Sequence, residues 1–122
     1  MKSFPFPEVD LVIGIATGGI VPASLTAHQL GCPLRLMQVS FRAADNTPLY
    51  PEPKVVSWQP LQEQGLRVLL VDEVSVSGKT LQCARSMLEG QHVLTFVLKG
   101  QADYVLFPKI ETCVHWPWKV ID

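Results

Sequence analysis

Two stretches of this chain are apolar almost without interruption, and each runs into a short turn. The first, EVDLVIGIATGG, predicts a strand over about residues 10–15 that ends in a glycine pair. The second, LRVLLVD, predicts a strand over 66–72 that ends on an acid. A continuous apolar run fits a parallel strand buried on both faces, because a half-exposed strand would alternate. Helical spacing follows each strand, in GGIVPASLTAHQLG, which stops at Gly31, and in SGKTLQCARSMLEG. PLRLMQVSF predicts a further, more alternating strand and HVLTFVLKG a fourth, while DYVLF and CVHW are short later segments. RAADNTPLYPEPK has three prolines and no period, so it reads as a long loop or a loose hairpin. QPLQEQG reads as a turn or a short helix.

Strands alternating with helices predict an α/β fold with a mostly parallel central sheet flanked by helices. The length of 122 residues predicts one domain with a core that needs no disulfide or structural metal. In such sheets ligands sit at the carboxyl ends of the strands. The turns after Ile15 and after Asp72 both lie there, so they are expected to face one crevice.

The net charge of -1 gives no pull toward nucleic acid or a membrane, and no Lys/Arg cluster supplies a local one. Cys32, Cys83 and Cys113 are widely spaced and form no zinc pattern, which fits free thiols in a reducing compartment. The first ten residues lack the apolar core of a signal peptide, and no run approaches membrane-spanning length. A soluble, cytoplasmic protein is expected.

The most informative stretch is VLLVDEVSVSGKTL. Its turn places Ser75, Ser77, Gly78, Lys79 and Thr80 at a helix N-terminus, where unpaired N–H groups and the helix dipole favour an anion. Gly78 permits close backbone approach, and the hydroxyls and Lys79 add donors. The spacing is not that of a Walker A loop, and a plain serine cap is the simpler alternative. Asp72 and Glu73 stand next to this anion turn at the end of an apolar strand, where unpaired charge is costly. A divalent cation or a ribose diol resolves the conflict, since carboxylates bind both. Acids and turn together ask for a ligand that carries ribose, phosphate and metal.

This stretch closely resembles the phosphoribosyl pyrophosphate (PRPP) motif of type I phosphoribosyltransferases: four apolar residues, two acids, a variable stretch, then Thr/Ser-Gly-x-Thr. The resemblance implies that Asp72 and Glu73 hold the ribose hydroxyls, and Mg2+ directly or through water. It implies that Ser75, Val76, Ser77, Gly78, Lys79 and Thr80 hold the 5′-phosphate. GIATGGIVPA is similar to the family's pyrophosphate loop, which assigns Thr17, Gly18 and Gly19 to the diphosphate, with Arg42 reaching it from the long loop. LKGQADYVLF followed by CVHWPWK is similar to the hood of the 6-oxopurine branch, near the xanthine and hypoxanthine-guanine enzymes. There Lys99 would read the purine O6, Pro117 and Trp118 would close the hood, and Cys113, Val114, His115, Trp116 and Lys119 would complete the base site. The resemblance runs from about Asp10 to Lys119. It implies a core over about 9–98 and a small hood over about 99–122, to which N-terminal residues contribute.

The implied activity is transfer of the phosphoribosyl group of PRPP to a base, with release of pyrophosphate. Mg2+ is the implied cofactor, a nucleobase or nucleoside monophosphate the further ligand, and a homodimer the implied assembly. The loop from about Phe41 to Val55 would close over the site. Four positions depart from the 6-oxopurine pattern: Val76 and Lys119 stand where relatives carry an acid, Thr17 where many carry Arg or Lys, and Cys113 where an aromatic ring often stacks on the base. These departures favour a second reading, a PRPP- or nucleotide-binding protein that senses rather than catalyses. A third reading is an unrelated α/β phosphate binder. His28 and His92 read as structural or solvent-facing, Trp58 reads as packing, and Ser24, Ser40 and Ser77 have no partners in a hydrolase pattern.

Overall fold

The computed structural model describes residues 5–40 and 53–107. Along them lie β1 (Leu11–Ala16), α1 (Ile20–Leu30), β2 (Leu34–Ser40), β3 (Lys54–Ser57), β4 (Arg67–Ser75), α2 (Lys79–Ser86), β5 (His92–Gly100) and β6 (Tyr104–Val105). The uninterrupted apolar runs are explained by two cores, one on each face of the sheet. Successive residues of a strand point to opposite faces. Leu11, Ile13 and Ile15 therefore meet Val68, Leu70 and Val97 on one face, under Leu81 and Ala84 of α2. Val12 meets Leu69, Val71, Phe96 and Leu98 on the other, under Ala23 and Ala27 of α1.

The sheet order is β3-β2-β1-β4-β5-β6. Strands β1, β2, β4, β5 and β6 run parallel, and β3 joins β2 antiparallel. The chain moves outward from β1 to β2, then returns to the other side of β1 to lay down β4. The connections that leave β1 and β4 therefore diverge, and they open a crevice at the carboxyl ends of those two strands. Among the described residues no helix is long and apolar enough to cross a membrane.

Three elements differ from the sequence reading. Lys54–Ser57 forms an edge strand, β3, at the end of the stretch that reads as a long loop or a loose hairpin, and it runs antiparallel to β2 because Val55 pairs with Val39 and packs on the α2-side core. Strand β4 runs past Asp72 to Ser75, because Asp72, Val74 and Ser75 continue the ladder with Val97, Lys99 and Gly100 of β5. Ser75 is thus a strand residue and not part of the turn. Helix α2 is shorter than the expected segment, covering Lys79–Ser86, although Leu88 still packs into the core. Helix α1 ends at the predicted Gly31, which adopts a left-handed conformation. Residues 41–52 and 108–122, which carry much of the expected loop and hood, lie outside the described residues.

Helix α1 crosses β1 at Gly14 with almost no clearance. A Cβ at Gly14 would fall 2.6 Å from Ala23 Cβ and 3.2 Å from the Gly19 carbonyl oxygen. At the amino ends of the same strands, Arg67 ties β4 to the start of β1. Its backbone N–H, Nε and Nη2 donate to the Asp10 carboxylate at 2.8, 3.2 and 3.0 Å, and Nη1 reaches Glu8 at 3.2 Å. The side-chain and backbone hydrogen bonds from Arg67 hold the Asp10 carboxyl below the usual carboxylate range.

Two outcomes follow from this packing. Gly14→Ala should lower stability by about 1–3 kcal/mol in urea titrations, because the neighbouring Ala23 has no flexible end that can give way. Asp10 contributes stability that is complete above its unfolded pKa, about 3.9, and that is lost as pH falls through its lowered folded value. Thermal midpoints should therefore fall more steeply between about pH 5 and pH 2 in the native protein than in Asp10→Asn.

Candidate active site

The turn after β1 is built to lie on the backbone of two strands. The Gly19 N–H donates to the Ile15 carbonyl at 2.7 Å, and the Ala16–Thr17 peptide is cis. A Cβ at Gly19 would fall 2.6 Å from the carbonyl oxygens of both Ile15 and Val71. Only glycine lets α1 begin this close to β1 and β4. Gly19 also precedes the first turn of α1 with no side-chain cap, so the helix dipole points at the crevice from there. Thr17 is exposed and Gly18 half-buried at the same place.

The second acid, Glu73, meets this turn. Glu73 is only 5% exposed, and a Cβ on Gly18 would lie 3.4 Å from both its Cβ and its Oε2. The Glu73 carboxylate therefore rests against the Gly18 backbone. Asp72 is half-buried, and its Oδ1 accepts the Glu73 backbone N–H at 2.7 Å. That bond fixes the first acid relative to the second. The anion turn follows β4 directly. Val76 is 80% exposed, Gly78 is left-handed at φ 79°, and Ser77 Oγ accepts the Lys79 backbone N–H at 3.3 Å. Helix α2 starts at Lys79 without a side-chain cap, leaving its first amides toward the same crevice.

The fold thus brings Thr17, Gly18 and Gly19 together with Asp72 and Glu73, and leads straight on to Ser77, Gly78, Lys79 and Thr80. Lys99 lies on the adjoining strand, half-buried and paired in register with Val74. Ser75 departs from the sequence reading: it is buried in β4 and its hydroxyl has no hydrogen-bond partner among the described residues. Arg42, Cys113, Val114, His115, Trp116, Trp118 and Lys119 lie outside the described residues. His28 and His92 are exposed, and Ser24 Oγ donates to the Ile20 carbonyl at 2.6 Å, a helix-internal bond. Burial pushes the Cys32 thiol up, which suits an inert packing residue.

No group of three or more His, Cys, Asp or Glu side chains gathers among the described residues. Two adjacent carboxylates nevertheless suit Mg2+, which is usually held by one or two acids together with substrate phosphates. The sequence did not single out Gly14 or Gly100. Gly14 sits mid-strand between bulky residues, and that was the available signal for a close helix crossing. A concavity of about 480 Å³, lined in part by Glu8, Arg67, Gln91 and His92, lies at the opposite, amino ends of β4 and β5. It is remote from the glycine turn and the acids, and strand direction favours the carboxyl end.

With this geometry in place, the comparisons with known proteins are direct. Residues 6–114 match the profile of the phosphoribosyl transferase domain. The chain is 24% identical to a xanthine-guanine phosphoribosyltransferase of Idiomarina loihiensis, over 96% of its own length and 75% of the relative's. It superposes on the crystal structure of a purine phosphoribosyltransferase from Pyrococcus horikoshii with a TM-score of 0.74 and 28% identity, covering 94% of this chain and 81% of that one. A Neisseria gonorrhoeae protein crystallised with bound ppGpp aligns at a TM-score of 0.62 and 30% identity, over 84% of this chain and 63% of the other. The match spans most of the chain and includes both turns and the acid pair, so this protein belongs to the phosphoribosyl transferase domain family.

Proposed function

We propose that the protein transfers the phosphoribosyl group of PRPP to a purine base. The observation that carries this reading is the contact of Glu73 with Gly18, which joins the acid end of β4 to the 17–19 turn, with the 77–80 turn following on the same strand. Each part of PRPP then has a place. The 2′ and 3′ hydroxyls donate to Asp72 and Glu73. The diphosphate lies on the 17–19 turn, and the 5′-phosphate on the 77–80 turn at the start of α2. Likeness to a xanthine-guanine enzyme and to a purine enzyme supports a purine as acceptor. Lys99, one strand over from the acids, suits a carbonyl on that base.

In the reaction a base nitrogen gives its lone pair to C1 as the C1–O bond breaks, the electron pair leaves with pyrophosphate, and the ring N–H proton of the base passes to water. Positive charge builds on the ribose ring. Asp72 and Glu73 would hold the ring in place, and their negative charge favours the positive charge that builds on it. The leaving group would lie on the turn at Thr17 and Gly18; Gly19, expected to donate as well, gives its N–H to the Ile15 carbonyl and serves by letting the turn pass close to the strands. Mg2+ held by Asp72 and Glu73, directly or through water, would neutralise charge on the pyrophosphate. No covalent nucleophile is required.

A second reading keeps the site and drops the chemistry. It is favoured by Val76, an exposed apolar residue where the 6-oxopurine pattern has an acid, and by likeness to the protein crystallised with ppGpp. In that case the crevice senses a phosphorylated nucleotide or PRPP.

One assay separates the two. The protein is incubated with PRPP, Mg2+ and each of xanthine, guanine, hypoxanthine, adenine, orotate and uracil, and products are resolved by chromatography. A nucleoside monophosphate should form with a purine. Asp72→Asn and Glu73→Gln should each lower kcat/KM by about 100-fold or more while the fold persists. No product with any base, from protein that still binds PRPP, contradicts transfer and establishes the sensing reading.

A further inference from the structure

Ser75 stands between the acids and the anion turn but fits neither. It is 6% exposed, and its hydroxyl has no hydrogen-bond partner among the described residues. Its backbone, in contrast, is engaged: Ser75 pairs with Gly100, and its carbonyl accepts the Gln101 N–H at 2.8 Å. Burying a hydroxyl without a partner is costly, and native proteins rarely tolerate it without a reason. Alanine would occupy the same place in β4 without that cost.

The turn that begins at the next residue can supply the missing bond. Val76 is 80% exposed, so nothing packs its side chain down, and Gly78 is already left-handed at φ 79°. Peptide groups in such a turn can reorient at little packing cost. The Ser75 hydroxyl is shielded from solvent, so a ligand does not reach it in this conformation. The backbone of the turn that follows directly on Ser75 is in sequence reach of that hydroxyl.

We propose that Ser75 is a positioning residue for the anion turn. When the 5′-phosphate of PRPP seats on residues 77–80, the 76–78 backbone re-forms and takes up the Ser75 hydroxyl. Binding and satisfaction of this hydroxyl are thereby linked, and the ligand gains the difference between the two states. The inference rests on the PRPP reading above and adds to it a role that the resemblance did not assign, since there Ser75 was a direct phosphate ligand.

The test compares native protein with Ser75→Ala by thermal unfolding without ligand and by calorimetric titration with PRPP and Mg2+. The alanine variant should unfold at the same or a higher temperature without ligand, yet bind PRPP about tenfold more weakly. Ser75→Cys, with its weak donor, should fall between the two in affinity. A merely structural hydroxyl, one bonded to a buried water for example, would give the opposite pattern: a lower midpoint and an unchanged Kd. That pattern overturns the proposal, as does an unchanged Kd at any midpoint. If the native protein itself fails to bind PRPP, the PRPP reading falls and takes this inference with it.

Discussion

Strands β1 and β4 lie side by side, and the turn that leaves β1 must pass over the carboxyl ends of both. The space there is so small that a single methyl group at Gly19 would strike the carbonyl oxygens of Ile15 and Val71 together. That close approach sets where α1 begins. It also brings Gly18 onto the Glu73 carboxylate and so joins two segments that are more than fifty residues apart in the chain. Glu73 and the 17–19 turn meet because this glycine step permits it, and the 77–80 turn continues from the same strand. The two cores on either side of the sheet exist to hold β1 and β4 in that relation. Val12, Leu69 and Val71 fix it from the α1 side, and Ile13 and Leu70 from the other.

The same arrangement explains why a buried acid is tolerable. Glu73 is nearly inaccessible, and burying a carboxylate costs several kcal/mol unless it finds partners (about 1–3 per unmade hydrogen bond, more for a charge). Its carboxylate lies against the Gly18 backbone, where the 17–19 turn passes over the end of β4. A fold built only for stability would put an apolar residue at position 73, as it does at positions 69 and 71.

Much of this was legible in the sequence, for physical reasons. Doubly buried strands leave continuous apolar runs, so β1, β4 and β5 were visible, and the glycine pair and the hydroxyl turn at their carboxyl ends stood out as candidate anion sites. Less visible was whatever depends on a neighbour. β3 has only two valines, and it is a strand because β2 offers Val39 to pair with Val55. Two acids looked like the end of β4, but the ladder with β5 carries the strand on to Ser75. The Asp103 carboxylate, which accepts from the Thr95 N–H and hydroxyl at 2.9 and 3.0 Å, clasps the chain beyond β5 by a contact that no local pattern announces. The base-site residues from Cys113 to Lys119 were assigned by resemblance, and they lie outside the described residues.

The central claim is that the two turns and the acid pair serve one ligand. Heteronuclear NMR of the labelled protein during titration with PRPP and Mg2+ tests it most directly. The account predicts that the amides of Gly18 and Gly19 and those of Gly78 to Thr80 shift together along one saturable curve, with the Asp72 and Glu73 amides following. If one turn responds while the other stays silent, or if the two saturate at separate concentrations, the crevice is not a single site and the account is wrong.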